Sequence, residues 1–175
     1  MSNEPTTPKG LSEGDLVKAA LNYLKSYETT ESHLRTVLTR RVRRKLRGTS
    51  LEEAQFSPVI DAAVRYCLDR KYVDDQRYAE LFIESARRRS MSRRKIEGKL
   101  REKGLSPDDY QELVEDSDGS DLEAAVTFAR KKRIGPFRIG DHDQYRQKDM
   151  AKLARQGFDF DVCCRVMEGK FDHEN

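Results

Sequence analysis

One pattern limits the fold of this chain more than any other: a helix-capping residue followed by an apolar residue at every fourth position, used repeatedly. Thr30 is followed by Leu34 and Leu38, and Ser92 is followed in the same way by Ile96 and Leu100. Side chains three or four residues apart share one face of an α-helix. A Ser or Thr just ahead of such a stripe offers an acceptor to the unbonded N–H groups of the first turn. The far end of the helix repeats as well. Lys99-Leu100-x3-Gly104-Leu105-Ser106 matches Lys152-Leu153-x3-Gly157-Phe158-Asp159, sharing a glycine stop, an apolar residue after it and a new cap. Caps, stripes and stops that repeat together predict stacked helical units, where a single irregular bundle would repeat the stripes alone. No run of period-two alternation competes, so the expected class is all-α.

The remaining punctuation divides the chain into three units of three helices. A polar segment over residues 1–14 carries Pro5, Pro8 and Gly10 and reads as a disordered tail. The first unit spans 15–73, with Leu16, Ala20 and Tyr23 on its first helix and a break around Gly48. Ser57-Pro58 restarts that unit's last helix. Tyr72 and Val73 form a packed connection. The second unit spans 74–117: Asp74 or Asp75 caps a helix carrying Tyr78, Phe82, Ile83 and Ala86, and Ser106-Pro107 opens its last helix. Glu115 to Asp121 is acidic and reads as a hinge. The third unit, 118–170, opens with a capping box of Ser120 and Glu123 and has a long loop after Gly135-Pro136. Residues 171–175 form a C-terminal tail. Hydrophobic residues make up 36% and charged residues 37% of the chain, which suits thin helical layers better than one thick core.

The chemistry of catalysis has little to stand on. No glycine-rich phosphate loop is present, and His33, His142 and His173 are widely separated. No Cys/His spacing suits zinc, and Asp116-Ser-Asp118-Gly119 lacks the placement of a calcium loop. The expectation is a protein with no catalytic residues, no metal and no cofactor. Three cysteines, Cys67, Cys163 and Cys164, form no disulfide framework and favour a reducing compartment, and no apolar run approaches a membrane span. The expected location is the cytoplasm.

The net charge is only +3, yet the cations are clustered. Arg40, Arg41, Arg43 and Arg44 lie in an acid-free stretch between Leu34 and Leu51. Arg87, Arg88, Arg89, Arg93 and Arg94 form a second group, and Lys131, Lys132 and Arg133 a third. Guanidinium forks suit phosphate and carboxylate, so these twelve residues are the candidate partner- or DNA-binding surface. Ordinary solvated charge, paired with nearby acids, is the competing explanation. Tyr78, Phe82 and Tyr110 fall on core stripes, which leaves no evident surface for stacking bases.

The segment Ile60-Asp-Ala-Ala-Val-Arg-Tyr-Cys-Leu-Asp-Arg-Lys-Tyr-Val-Asp-Asp-Gln-Arg-Tyr-Ala79 resembles the most characteristic part of the RecX family. Ser92-Arg-Arg-Lys-Ile96-x3-Leu100-x3-Gly104-Leu105 is similar to its second signature, and Lys152-Leu-Ala-Arg-Gln-Gly-Phe158 to a third. Two positions depart from the family. Lys71 stands where it usually has Gly, which makes a left-handed helix cap less comfortable there. Ser90-Met91 replaces a Gly-containing turn. The resemblance implies three tandem three-helix repeats in an elongated, curved array. It also implies binding of the RecA recombinase and its filament on single-stranded DNA, with negative modulation there of ATP hydrolysis, strand exchange and co-protease activity. A monomer is the default expectation for the chain. From the residues alone, a basic helical DNA-binding protein acting independently of RecA is the alternative.

Overall fold

A computed structural model describes residues 9–115, 120–140 and 142–171. Positions 1–8 of the expected N-terminal tail, 116–119 of the expected hinge and 172–175 of the expected C-terminal tail lie outside the described residues, as does His173. Among the described residues there are nine α-helices and no strand, as the periodicity requires. They are α1 (Glu13–Leu24), α2 (Glu31–Leu46), α3 (Ser57–Asp69), α4 (Asp75–Arg88), α5 (Arg93–Glu102), α6 (Gln111–Glu115), α7 (Asp121–Lys132), α8 (His142–Arg155) and α9 (Phe160–Met167).

The chain divides into two compact units. The first comprises residues 1–78 together with Lys103–Leu105, and the second residues 79–102 with 106–175. In the first, α1 and α2 both pack on α3. The stripe Leu34, Leu38, Val42 and Leu46 of α2 is buried against Leu16 and Ala20 of α1 and Ile60, Ala63, Val64 and Cys67 of α3. Each large side chain so buried contributes about 1.5–3 kcal/mol. In the second unit, α7 and α8 pack on α9, around Leu122, Ala125, Ala129, Ile134, Leu153, Phe158, Cys163 and Val166.

Thr30 caps α2, its hydroxyl accepting from the His33 N–H at 3.2 Å, and Ser92 caps α5 through the Lys95 N–H at 3.2 Å. Both hydroxyls are fully buried, and each also donates to a carbonyl far along the chain. Thr30 Oγ1 donates to Lys103 O at 2.6 Å, within the first unit. Ser92 Oγ donates to Gln156 O at 3.0 Å, within the second. In both places the acceptor carbonyl immediately precedes a glycine of positive φ, Gly104 at 84° and Gly157 at 92°. A carboxylate completes each junction. Asp75 Oδ1 accepts from the Glu31 N–H at 2.8 Å, and Asp121 Oδ1 accepts from the Arg93 N–H at 2.8 Å. The cap and the stop that repeat in the sequence are therefore two halves of one contact, made twice.

Several local expectations are revised. The segment expected as tail ends earlier than residue 14: Leu11 is fully buried in the first core, and Ser12 with Asp15 forms a capping box for α1. Ser57 is the first residue of α3 and not its cap, because a 3-10 turn over Glu53–Phe56 runs straight into the helix. Val73 is buried, but Tyr72 is 48% exposed. Ser106-Pro107 opens a 3-10 turn, Pro107–Asp109, and the α-helix begins only at Gln111.

Among the described residues, three other than glycine adopt positive φ: Lys71 at 54°, Ser90 at 56° and Arg133 at 51°. Each follows a helix end closed by a bond from the next N–H back five residues. These are Tyr72 N–H to Cys67 O (2.9 Å), Met91 N–H to Ala86 O (3.1 Å) and Ile134 N–H to Ala129 O (2.9 Å). This is the Schellman closure, which glycine ordinarily serves. The two departures from the family pattern thus keep the left-handed backbone while carrying a side chain.

A Cβ at Gly104 would collide with the Ser32 side chain, and one at Gly157 with Ser92 Oγ. Gly104→Ala and Gly157→Ala are each expected to destabilise by about 2 kcal/mol or more, combining left-handed strain with overpacking; urea denaturation measures this. Lys71→Gly is expected to stabilise by about 1 kcal/mol by relieving the left-handed penalty, read as a higher Tm in a calorimetric scan.

Candidate anionic-partner interface

Six of the twelve candidate cations fall in the last turns of three helices for a local reason, whereas Arg93 and Arg94 open α5 and Arg40 and Arg41 lie within α2. Arg43 and Arg44 occupy the last turn of α2, Arg87 and Arg88 that of α4, and Lys131 and Lys132 that of α7. Unbonded carbonyls there carry partial negative charge, and cations near them gain about 0.3–1 kcal/mol. Clustering alone therefore does not mark a binding surface. What distinguishes the members is whether an acid already holds them.

In the first unit, Arg43 is taken: its guanidinium donates to Glu53 at 2.6 and 3.1 Å, and that hydrogen bond holds the Glu53 carboxyl below its usual range. Arg40, Arg41 and Arg44 form no ion pair among the described residues, although the charge of Arg41 reaches Asp15 of α1 and helps to hold that carboxyl low. They project along one side of α2 and, with Tyr23 of α1 and Val37 and Leu38 of α2, line a shallow groove between the two helices. Arg41 Nε is buried in this groove and finds no acceptor. His33 lies nearby and titrates below its usual value because it is buried, with Lys103 and Arg40 adding to the effect. At neutral pH its imidazole is uncharged, and the groove's charge comes from arginine.

In the second unit, the second and third clusters come together. Arg87 pairs with Asp121 at 3.1 Å, and Lys131 Nζ donates to the Arg88 carbonyl at 3.5 Å. Arg88 pairs with Glu84, and Arg93 with both Glu97 (2.8 Å) and Glu115 (3.2 Å). Arg89 turns back to the Ser85 carbonyl. Arg94, Lys132 and Arg133 are exposed and have no acidic partner among the described residues. Of the residues singled out in the sequence, Arg43, Arg87, Arg88 and Arg93 are thus held by acids within the chain, whereas Arg40, Arg41, Arg44, Arg94, Lys132 and Arg133 form no ion pair among the described residues, Arg41 being partly offset by Asp15.

Sequence reasoning missed the residue that fixes the loop following the third cluster. Asp149 of α8 is 1% exposed. It accepts from the Gly135 N–H (3.1 Å) and from both arms of Arg138 (3.0 and 2.6 Å), with Lys152 at 3.4 Å. His142 Nδ1 closes the same loop on Gly135 O at 2.8 Å. Burial works to raise the Asp149 pKa, but Arg138, the Gly135 N–H and Lys152 outweigh it and hold the carboxyl below its usual value. Nothing in the hydropathy of Lys148-Asp149-Met150 signals this role, because the partners lie a helix away. Among the described residues no three metal-ligating side chains converge, and no helix is long and apolar enough to cross a membrane.

Comparisons with known proteins agree in one direction. A family model described as RecX, second three-helix domain, matches residues 74–113. The chain is 36% identical over 168 residues to regulatory protein RecX of Myxococcus xanthus, covering 94% of this chain and 90% of that protein. It is 33% identical over 150 residues to regulatory protein RecX of Agrobacterium fabrum, covering 85% and 79%. The fold resembles the crystal structure of RecX from Lactobacillus salivarius, with a TM-score of 0.63 at 20% identity, covering 90% of this chain and 96% of that one.

The clamp gives a measurable outcome. Asp149→Asn leaves Arg138 half-buried without its counter-charge and is expected to destabilise by about 3 kcal/mol at neutral pH. Because the folded-state pKa of Asp149 is depressed, its contribution is present above the ordinary aspartate value and is lost as pH falls through the folded value. Urea midpoints of the two proteins, well apart at pH 7, therefore converge in strongly acidic buffer.

Proposed function

Because the chain belongs to the RecX family of regulatory proteins, we propose that it is a negative modulator of the RecA recombinase. It binds the RecA filament on single-stranded DNA and suppresses ATP hydrolysis, strand exchange and co-protease activity. The observation that carries this reading is likeness to a regulatory RecX protein over 94% of the chain. Three features support it. The body is helical throughout its described residues. Both units carry arginines or lysines that form no ion pair among the described residues. Among the described residues no cluster of His, Cys, Asp and Glu side chains could hold a metal ion. The protein works by binding, as a cytoplasmic monomer, and needs no cofactor.

Arg40, Arg41 and Arg44 in the first unit, and Arg94, Lys132 and Arg133 in the second, are the members of the basic clusters that meet the filament. The paired arginines Arg43, Arg87, Arg88 and Arg93 contribute less, since an incoming phosphate or carboxylate must first displace an acid. Electrostatic complementarity of this kind speeds association and falls with salt.

The decisive measurement is the single-stranded-DNA-dependent ATPase rate of RecA with substoichiometric amounts of this protein, at two salt concentrations. The expected result is inhibition that follows the ratio of this protein to RecA. It is weakened roughly tenfold in Arg94→Glu/Lys132→Glu, as expected for the loss of about 1.4 kcal/mol of binding. An unchanged ATPase rate, with DNA binding still present, leaves the RecA-independent DNA-binding protein as the correct reading.

A further inference from the structure

The groove between α1 and α2 contains more than charge. Tyr23 lines it beside Arg40, Arg41 and Arg44. The ring of Tyr23 is itself stacked on that of Tyr27, with centroids 5.0 Å apart and planes 29° from parallel. Tyr27 is 60% exposed, so the outer face of this aromatic pair is open to solvent. His33, neutral beside Arg40, approaches Tyr23 from the other side at 6.4 Å. All of these residues belong to the first compact unit.

We infer that this groove is a seat for a short stretch of single-stranded nucleic acid, bound by this chain without any other protein. Arg40, Arg41 and Arg44 take its phosphates, and the Tyr27 ring takes one base. The inference deepens the reading of the basic residues as a partner surface, and it makes a separate claim about free strands. Three observations point to this occupant. Arg40 and Arg44 stand one helical turn apart, about 6 Å along the axis, so they present repeated cations to a polymer of repeated anions. Arg41 keeps a buried Nε–H without an acceptor between them, a deficit that an entering oxyanion removes. Beyond the cations lies a stacked aromatic step with a free face, and stacking on such a face accepts any base. An acidic peptide answers the charge but brings no flat group to the ring, whereas a nucleotide brings both. The sequence offered no evident stacking surface, since Tyr78, Phe82 and Tyr110 fall on core stripes; the exposed ring of Tyr27, stacked on Tyr23, supplies one.

The test uses the full chain, a fluorescently labelled oligo-dT and no RecA, with anisotropy followed across a salt series. Wild type is expected to bind at low salt. Arg40→Ala/Arg41→Ala/Arg44→Ala lowers the slope of log affinity against log salt by about 2, from three lost contacts on a single strand. Tyr27→Ala weakens binding roughly tenfold at an unchanged slope. Arg65→Ala, an exposed arginine on α3, leaves binding as it was. Thermal melts by circular dichroism accompany each variant. If the triple variant is unfolded, Tyr27→Ala and Arg41→Lys decide alone, the latter removing the Nε–H while keeping the charge. The inference is overturned if wild type fails to bind, if Tyr27→Ala and the arginine variants bind like wild type, or if poly-glutamate displaces the strand as well as unlabelled oligo-dT does. Lost strand binding with RecA inhibition intact confirms the seat and separates it from the regulatory surface. Normal strand binding without RecA inhibition defeats the proposed function and leaves the seat standing.

Discussion

Everything in this structure depends on a buried hydroxyl that serves two helices at once. A helix N-terminus presents N–H groups without partners, and a helix C-terminus presents carbonyls without partners. Thr30 accepts from one kind and donates to the other, at His33 N–H and Lys103 O, and Ser92 does the same between Lys95 N–H and Gln156 O. Burying either end alone would strand polar backbone in an apolar setting, at roughly 1–3 kcal/mol for each unmet group. Joining the two removes both penalties. The arrangement requires backbones to approach closely, which is why a glycine follows each acceptor carbonyl. It also requires a nearby carboxylate, Asp75 or Asp121, to meet the first N–H of the capped helix.

The same logic governs the charges. A chain with 34 basic and 31 acidic residues keeps several of its arginines occupied at home. Arg93 is shared between Glu97 and Glu115, Arg35 between Glu31 and Asp61, and Arg138 is locked onto Asp149. Exposed pairs of this sort add little stability each. Their larger effect is selective, because they remove some cations from play and leave a handful with unspent charge. Three clusters of basic residues in the sequence become, after folding, a few sites where an anion gains most.

The helices were legible because their signals are local. Caps at Thr30, Ser92 and Ser120 and the stripe Leu34-Leu38-Val42 depend on residues within a turn or two of one another, so the order of letters contains them. Contacts across the fold were not legible. That Thr30 would find Lys103, that Arg87 would find Asp121, or that Asp149 would be sealed beneath Arg138 depends on where whole helices come to lie. Lys71 shows the boundary well. The sequence marked it as awkward for a left-handed turn, yet the Schellman closure around it fixes the backbone regardless, with φ at 54°. The stacking face at Tyr27 escaped notice for a related reason: it follows Tyr23 at helical spacing, and only the folded structure shows Tyr23 partly buried and Tyr27 exposed.

The first compact unit is discontinuous along the chain, taking in Lys103–Leu105 after leaving out Ala79–Glu102. During synthesis its three helices emerge first, and the carbonyl that Thr30 requires and the buried Leu105 emerge only later. At about 5–20 residues per second the intervening segment takes roughly 1–5 s to appear. For that interval the nascent chain holds an almost finished domain with an open seam. Folding on the ribosome is therefore completed out of order, with the earliest-made part closed by a later one.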